Sequence, residues 1–269
     1  MAEKNITRKY MFTVEGETEK WYFDWLETVI NSSGQSECNV SIKAIVEQRP
    51  LKYAKGSNHR ATPVITHICD VESNEPVHQQ KFKDILDQLK EAQKQKGIQY
   101  DLGYSNFTFE LWMVLHKQAL NGALTHRSQY LSPINRAFDE RFEDLDKYKH
   151  EANFKRCLSK LTIEDVKEAI KRSRYIMERK ADDGQFPIQY KGFTYYPENP
   201  SLSIWEAVEK ILQECSIKEP EIPFLIIPRI KDVHYDGGFD FAVMAQSPNY
   251  TPRSADYIID IFGEYIDLV

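Results

Sequence analysis

Apolar and polar positions recur at two periods along this chain, and the switches between them mark its elements. Tyr10, Phe12 and Val14 fall two apart, as in a strand, whereas Trp21, Tyr22, Trp25, Leu26 and Val29 recur at helical spacing. Between them lies VEGETE, where Gly16 can turn. The alternating NVSIKAIV, residues 39–46, predicts a second strand after the turn-like NSSGQSE, so the chain opens with a βαβ unit. The apolar run VITHIC, residues 64–69, fits a central parallel strand and ends directly in Asp70, Val71 and Glu72. Phe82, Ile85, Leu86 and Leu89 then predict an amphipathic helix over 77–96, followed by a strand over 98–103.

Further along, YSNFTFELWMVLHK predicts a buried helix capped by Ser105 or Asn106, apolar nearly all round and carrying Glu110 in its middle. On such a helix Asn106, Glu110 and Lys117 share a face, and the buried carboxylate needs a partner: a salt bridge or a metal. Ile134, Phe138, Phe142 and Leu145 predict one helix. Ile163, Val166, Ile170 and Met177 predict another, opened by a Thr162/Asp165 capping arrangement. The aromatic FPIQYKGFTYY reads as a hairpin, and Ser203 with Glu206 reads as a capping box for a helix bearing Ile204, Val208, Ile211 and Leu212. Strands over 223–230 and 239–245 and a helix over 254–266 complete the expected elements. The pattern divides the chain into an α/β domain at 1–125, a helical insert at 126–185, and a C-terminal α+β extension at 186–269 packing on the core.

The polar stretch QRPLKYAKGSNHRATP has no clear period and reads as a basic loop. Its Arg49, Lys52, Lys55 and Arg60 are candidates for phosphate contact, with plain solvation the simpler reading. A hydrophobic fraction of 41% and a charged fraction of 28% describe a globular chain. No apolar run is long enough to span a bilayer, and MAEKNITRKY lacks the apolar core of a signal peptide, so a cytoplasmic location is expected. The four cysteines form no CxxC pair, which excludes zinc-ribbon and thioredoxin-type sites and predicts reduced, buried thiols. A net charge of −6 argues against a coat of basic surface but not against a nucleic-acid substrate met locally.

Chemistry concentrates in the carboxylates. Glu15 follows the first strand, Glu19 lies one turn into the next helix, and Asp70 and Glu72 follow a second parallel strand, on one side of it by alternation. The carboxyl edge of an open parallel sheet is where ligands bind. Carboxylates converging there would hold one or two Mg²⁺ ions, which activate water and stabilise displacement at phosphorus. Glu17, on the same turn, reads as a helix-start charge.

The order VEGETE, then a strand ending in D-x-E, resembles the TOPRIM domain shared by topoisomerases, primases and OLD-type nucleases, with its EG and DxD motifs. More narrowly, VEGETEKWYF, SNFTFELWMVLH and NPSLSIWEAVEKIL in that order resemble the RloB-like family, associated with bacterial phage-defence and restriction loci. The resemblance implies a TOPRIM-like, mainly parallel sheet flanked by helices. It also implies a Mg²⁺- or Mn²⁺-dependent nuclease acting on DNA or an RNA such as tRNA, with Glu15, Asp70 and Glu72 catalytic. Glu15, Glu19, Asp70 and Glu72 would be metal ligands, and Asn106, Glu110 and Lys117 would support them. Glu72 departs from the commoner Asp. The other reading is a non-catalytic TOPRIM-like module that binds nucleic acid or protein as a sensor. No GxxxxGK[ST] occurs, so an ATP-driven step would need a separate ATPase subunit. A homo-oligomer is open, and no membrane association is expected.

Overall fold

The computed structural model describes residues 6–57, 63–96, 98–120 and 122–217, which lie in one compact unit ending at Ile217. In chain order the elements are β1 (Thr7–Val14), α1 (Glu17–Ser32), β2 (Asn39–Val46), α2 (Pro50–Gly56), β3 (Val64–Asp70), α3 (Pro76–Lys96), β4 (Gln99–Asn106) and α4 (Glu110–Leu115). There follow a single 3-10 turn (Arg127–Tyr130), α5 (Leu131–Phe138), α6 (Leu145–Lys149), α7 (Glu151–Leu158) and α8 (Ile163–Asp182). Last come β5 (Ile188–Tyr190), β6 (Phe193–Tyr195), β7 (Ser201–Leu202) and α9 (Ile204–Glu214).

The architecture is α/β. Five strands form one sheet in the order β2-β1-β3-β4-β7, parallel except for β7, which pairs antiparallel to β4 through Ser105↔Leu202 and Asn106↔Ser201. Alternation along the strands sends two apolar sets to opposite faces. Phe12, Val14, Ile42, Ala44 and Ile68 join α1, α4 and the helices from α5 to α9 in one core, so the helical region shares the sheet's own hydrophobic interior. Ile65, Cys69 and Tyr100 face the other way, onto Phe82, Leu86 and Leu89 of α3. This two-sided burial matches a mainly parallel sheet flanked by helices, as expected.

Several local expectations are corrected. The helix drawn over YSNFTFELWMVLHK begins only at Glu110, because β4 continues to Asn106 in the ladder with β7. Glu110 therefore opens its helix instead of sitting mid-helix. The single helix marked by Ile134 and Leu145 is two: Asp139 adopts a left-handed backbone (φ 49°) after α5. Asn135 then pins the return, donating to the Phe142 carbonyl at 3.0 Å and accepting from its N–H at 2.9 Å. The basic loop contains α2, started by Pro50, which suits the first helical turn. Ser203 is no capping-box residue. Its hydroxyl donates to the Leu102 carbonyl at 3.0 Å and accepts from the Tyr104 N–H at 3.1 Å, fastening the start of α9 to β4.

Other expectations hold. β2 occupies the run the alternation marked. Thr162 and Asp165 make the reciprocal cap, with Asp165 accepting from the Thr162 N–H at 2.8 Å and Thr162 accepting from the Asp165 N–H at 3.3 Å. β5 and β6 form the hairpin, turning at Lys191 and Gly192, both at positive φ (55° and 92°) as a two-residue loop requires. All four cysteines are free and buried. The strands and helix expected over 223–266 lie outside the described residues.

Candidate metal and phosphate site

The sheet order makes β1 and β3 neighbours while β2 lies beyond β1, so the connections leaving β1 and β3 diverge. The crevice at their carboxyl ends is the topological switch point, where open α/β sheets bind ligands. Glu15 is the first residue past β1, and its carboxylate accepts the Asp70 backbone N–H at 3.3 Å. The two residues that the strand pattern placed at adjacent strand ends thus meet.

Glu19 enters from the first turn of α1 and is only 6% exposed. The Thr18 hydroxyl donates to it at 3.1 Å. Glycine at position 16 is explained here by close approach: its φ of −145° is ordinary extended backbone, but a Cβ would stand 3.0 Å from a Glu19 carboxylate oxygen. Glu110, 1% exposed at the start of α4, accepts the Thr108 hydroxyl and pairs with Lys149 of α6 at 3.0 Å.

Three of these carboxylates are raised by burial and by acidic neighbours. Burial pushes Glu15 up to about 7, with Glu19 adding to the rise and Lys81 opposing it. Burial also raises Asp70 well above the carboxylate range, reinforced in turn by Glu15, Glu19 and Glu110. Glu19 rises for the same reason, through burial and then Glu110. Lys149 resists the downward pull of burial because Glu110, Asp70 and Glu19 all hold its charge. Asp70 is the carboxyl raised by all three of the others.

Glu72 behaves differently. Its backbone turns left-handed (φ 66°), which breaks the strand alternation that would have aligned it with Asp70. Its side chain pairs with Lys81 and, at 3.3 Å, with His78. Burial works against it, yet Lys81 and His78 hold its carboxyl below the usual range. Lys81 links the two parts of the site, since Glu72, Glu15 and Asp70 all raise its pKa.

The remaining expected positions separate. Asn106 belongs to β4, and its side-chain amide donates to the Pro197 carbonyl at 2.7 Å. Lys117 pairs with Asp165 at 2.9 Å, and Lys149 takes the place it was expected to hold beside Glu110. Arg49 and Lys52 pair with Glu47 at 3.8 and 2.9 Å on the surface, and Lys55 is exposed at the end of α2. Arg60 lies outside the described residues. Lys81, Lys149, Thr18 and Thr108 were missed by sequence reading. An excess of carboxylates signals that some cation must be near, but nothing local to α3 or α6 says which lysine supplies it.

Among the described residues, no three His, Cys, Asp or Glu side chains are gathered closely enough to hold one ion. The donor chemistry nonetheless fits a hard divalent cation. The converging groups are all carboxylate oxygens, their charge exceeds that of the two lysines, and one buried Glu110 oxygen has only the Lys149 ion pair and no hydrogen bond. The buried Tyr148 hydroxyl, beside Glu110 and Glu19, also lacks a hydrogen-bond partner among the described residues. Among the described residues, no helix is long and apolar enough to cross a membrane.

Residues 10–211 match the family model described as RloB-like protein. No curated protein and no solved structure matches the chain. The match spans most of the sequence, and the chain belongs to the RloB-like family.

Proposed function

For this member of the RloB-like family, we propose a Mg²⁺-dependent nuclease of TOPRIM type, hydrolysing phosphodiester bonds of DNA or RNA in the cytoplasm as an effector of bacterial antiphage defence. The observation that carries this reading is Glu15 held on the Asp70 N–H at the switch point, with Glu19 and Glu110 brought to Asp70 from two helix starts. Asp70, Glu15 and Glu19 would hold the metal, with Glu110 beside them; Mn²⁺ would substitute. Bound there, the ion would polarise the phosphate and make a water more acidic. Glu15 would take that water's proton. Lys81 and Lys149 bring positive charge to the same crevice, where the non-bridging oxygens of a phosphate would meet it. Glu72 keeps Lys81 in place. An ATP-driven step would come from a separate ATPase subunit, detectable by copurification.

The test incubates purified protein with DNA and with tRNA in Mg²⁺ or Mn²⁺, beside Glu15→Gln and Asp70→Asn. Cleavage by the wild type that both substitutions abolish supports the reading, and cleavage that survives both removes it. A second reading is favoured by a specific observation: Glu72 and Glu110 are already neutralised by Lys81 and Lys149, as in a module that binds nucleic acid or protein without metal. Calorimetric titration separates the two, because a module of that kind binds neither Mg²⁺ nor Mn²⁺.

A further inference from the structure

Away from the carboxylates, Cys38 and Cys215 lie side by side with their sulfurs 3.1 Å apart. They are 177 positions apart in sequence, one just before β2 and the other capping the end of α9. Their backbones are already tied, since the Glu37 N–H donates to the Cys215 carbonyl at 3.1 Å. The Ser36 hydroxyl donates to the Cys38 carbonyl at 2.5 Å and accepts the Cys38 N–H at 3.3 Å, which fixes the turn that aims Cys38. A disulfide needs its sulfurs near 2.05 Å, so bond formation asks for a closure of about 1 Å between side chains on backbones held together. Cys69 and Cys157 serve as internal controls, being buried in other parts of the core.

We propose that Cys38 and Cys215 form an oxidation site, closed to a disulfide by a peroxide, that clamps the end of α9 to the start of β2. Cys38, 4% exposed against 0% for Cys215, is the sulfur the oxidant reaches. Its thiolate attacks one peroxide oxygen and the O–O bond breaks, giving a sulfenic acid, with the leaving oxygen protonated to water. Cys215 then attacks the sulfenic sulfur, and the displaced hydroxide leaves as a second water. Two thiols lose two electrons and two protons in all, and hydrogen peroxide is reduced to two waters. The closing step is slow at neutral pH, because burial, then Cys38 itself, pushes the Cys215 thiol up to about 12, and a thiol so poised rarely ionises. The bond therefore forms under sustained oxidant and reverses with a dithiol.

The experiment treats reduced full-length protein with hydrogen peroxide, quenches free thiols by alkylation, and maps peptides without reduction. Expected are a loss of about 2 Da from the intact chain, a peptide joining Cys38 to Cys215, and a melting temperature raised by several degrees that dithiothreitol reverses. The linked peptide and the thermal shift vanish in Cys38→Ser and, independently, in Cys215→Ser, and persist in Cys69→Ser. Folded wild type that ends with both thiols free, or with Cys38 carried on to sulfinic acid while Cys215 stays reduced, overturns the proposal.

Discussion

Glu15 sits in surroundings unlike those of an ordinary surface carboxylate. With its pKa raised from 4.5 to about 7, the folded chain retains a proton that the unfolded chain releases between those values. Its stabilising contribution is then complete below about pH 4.5 and lost as pH rises through about 7. Glu15→Gln removes that loss, so in EDTA the variant should gain on the wild type by about 1–3 kcal/mol between pH 5 and pH 8, at ~1.4 kcal/mol per unit. His67 and His116, lowered by burial to about 3 and about 4, titrate in the opposite sense but are common to both proteins and cancel in the difference. Urea denaturation at the two pH values measures it, and a gain that ignores pH would show that Glu15 is not buried among charges. Next to it, Gly16→Ala places a methyl 3.0 Å from a Glu19 oxygen on a backbone that alanine readily adopts. The expectation is an unchanged circular dichroism spectrum and melting temperature, with metal-dependent cleavage down roughly ten-fold because Glu19 is displaced. An alanine variant with full cleavage would detach Glu19 from the site.

At the scale of elements, what could be read in advance depended on whether the local period was unambiguous. β2, with Val40, Ile42 and Ala44 buried in alternation, coincides with the alternating run, and the hairpin follows from aromatics flanking a Lys-Gly pair. The β4–α4 junction was misread because SNFTFELWMVLH is apolar on every side. Such a segment shows no period, and its place in the sheet is set by distant partners: Ser105 pairs with Asp70 of β3, and β7, nearly a hundred positions later, pairs with both Ser105 and Asn106. Ser203 was misread for a related reason: its local context offers a cap, but β4 offers it two backbone partners. The hairpin gives an element-scale test. Gly192 at φ 92° lies where a Cβ strains the backbone, so Gly192→Ala should cost about 1 kcal/mol in chemical denaturation. A cost near zero would mean the turn relaxes to another form.

At the scale of the whole molecule, the site is assembled from segments that the sequence keeps apart. Glu15 and Asp70 were legible because each follows a recognisable strand and parallel strands end together at one edge. Glu72 was not, since its turn leaves the strand geometry, and neither were Lys81 and Lys149, whose roles depend on how α3 and α6 pack over that edge. The assembled result is a crevice with more negative charge than it can neutralise, and such a crevice should be stabilised by a cation that binds only the folded chain. At a concentration one hundred times the dissociation constant, that linkage is worth about 2.7 kcal/mol. For a folded unit of this size it corresponds to a melting temperature raised by roughly 5–10 °C. The rise should appear with Mg²⁺ and Mn²⁺ at pH 8 and shrink at pH 5.5, where Glu15 holds its proton and an incoming ion must displace it. It should be lost in Asp70→Asn, whose carboxylate feels all three others, and be retained in Glu72→Gln, whose partners are Lys81 and His78. If Glu72→Gln abolished the rise and Asp70→Asn kept it, the centre of the site would have to move from the β1–β3 crevice to the start of α3.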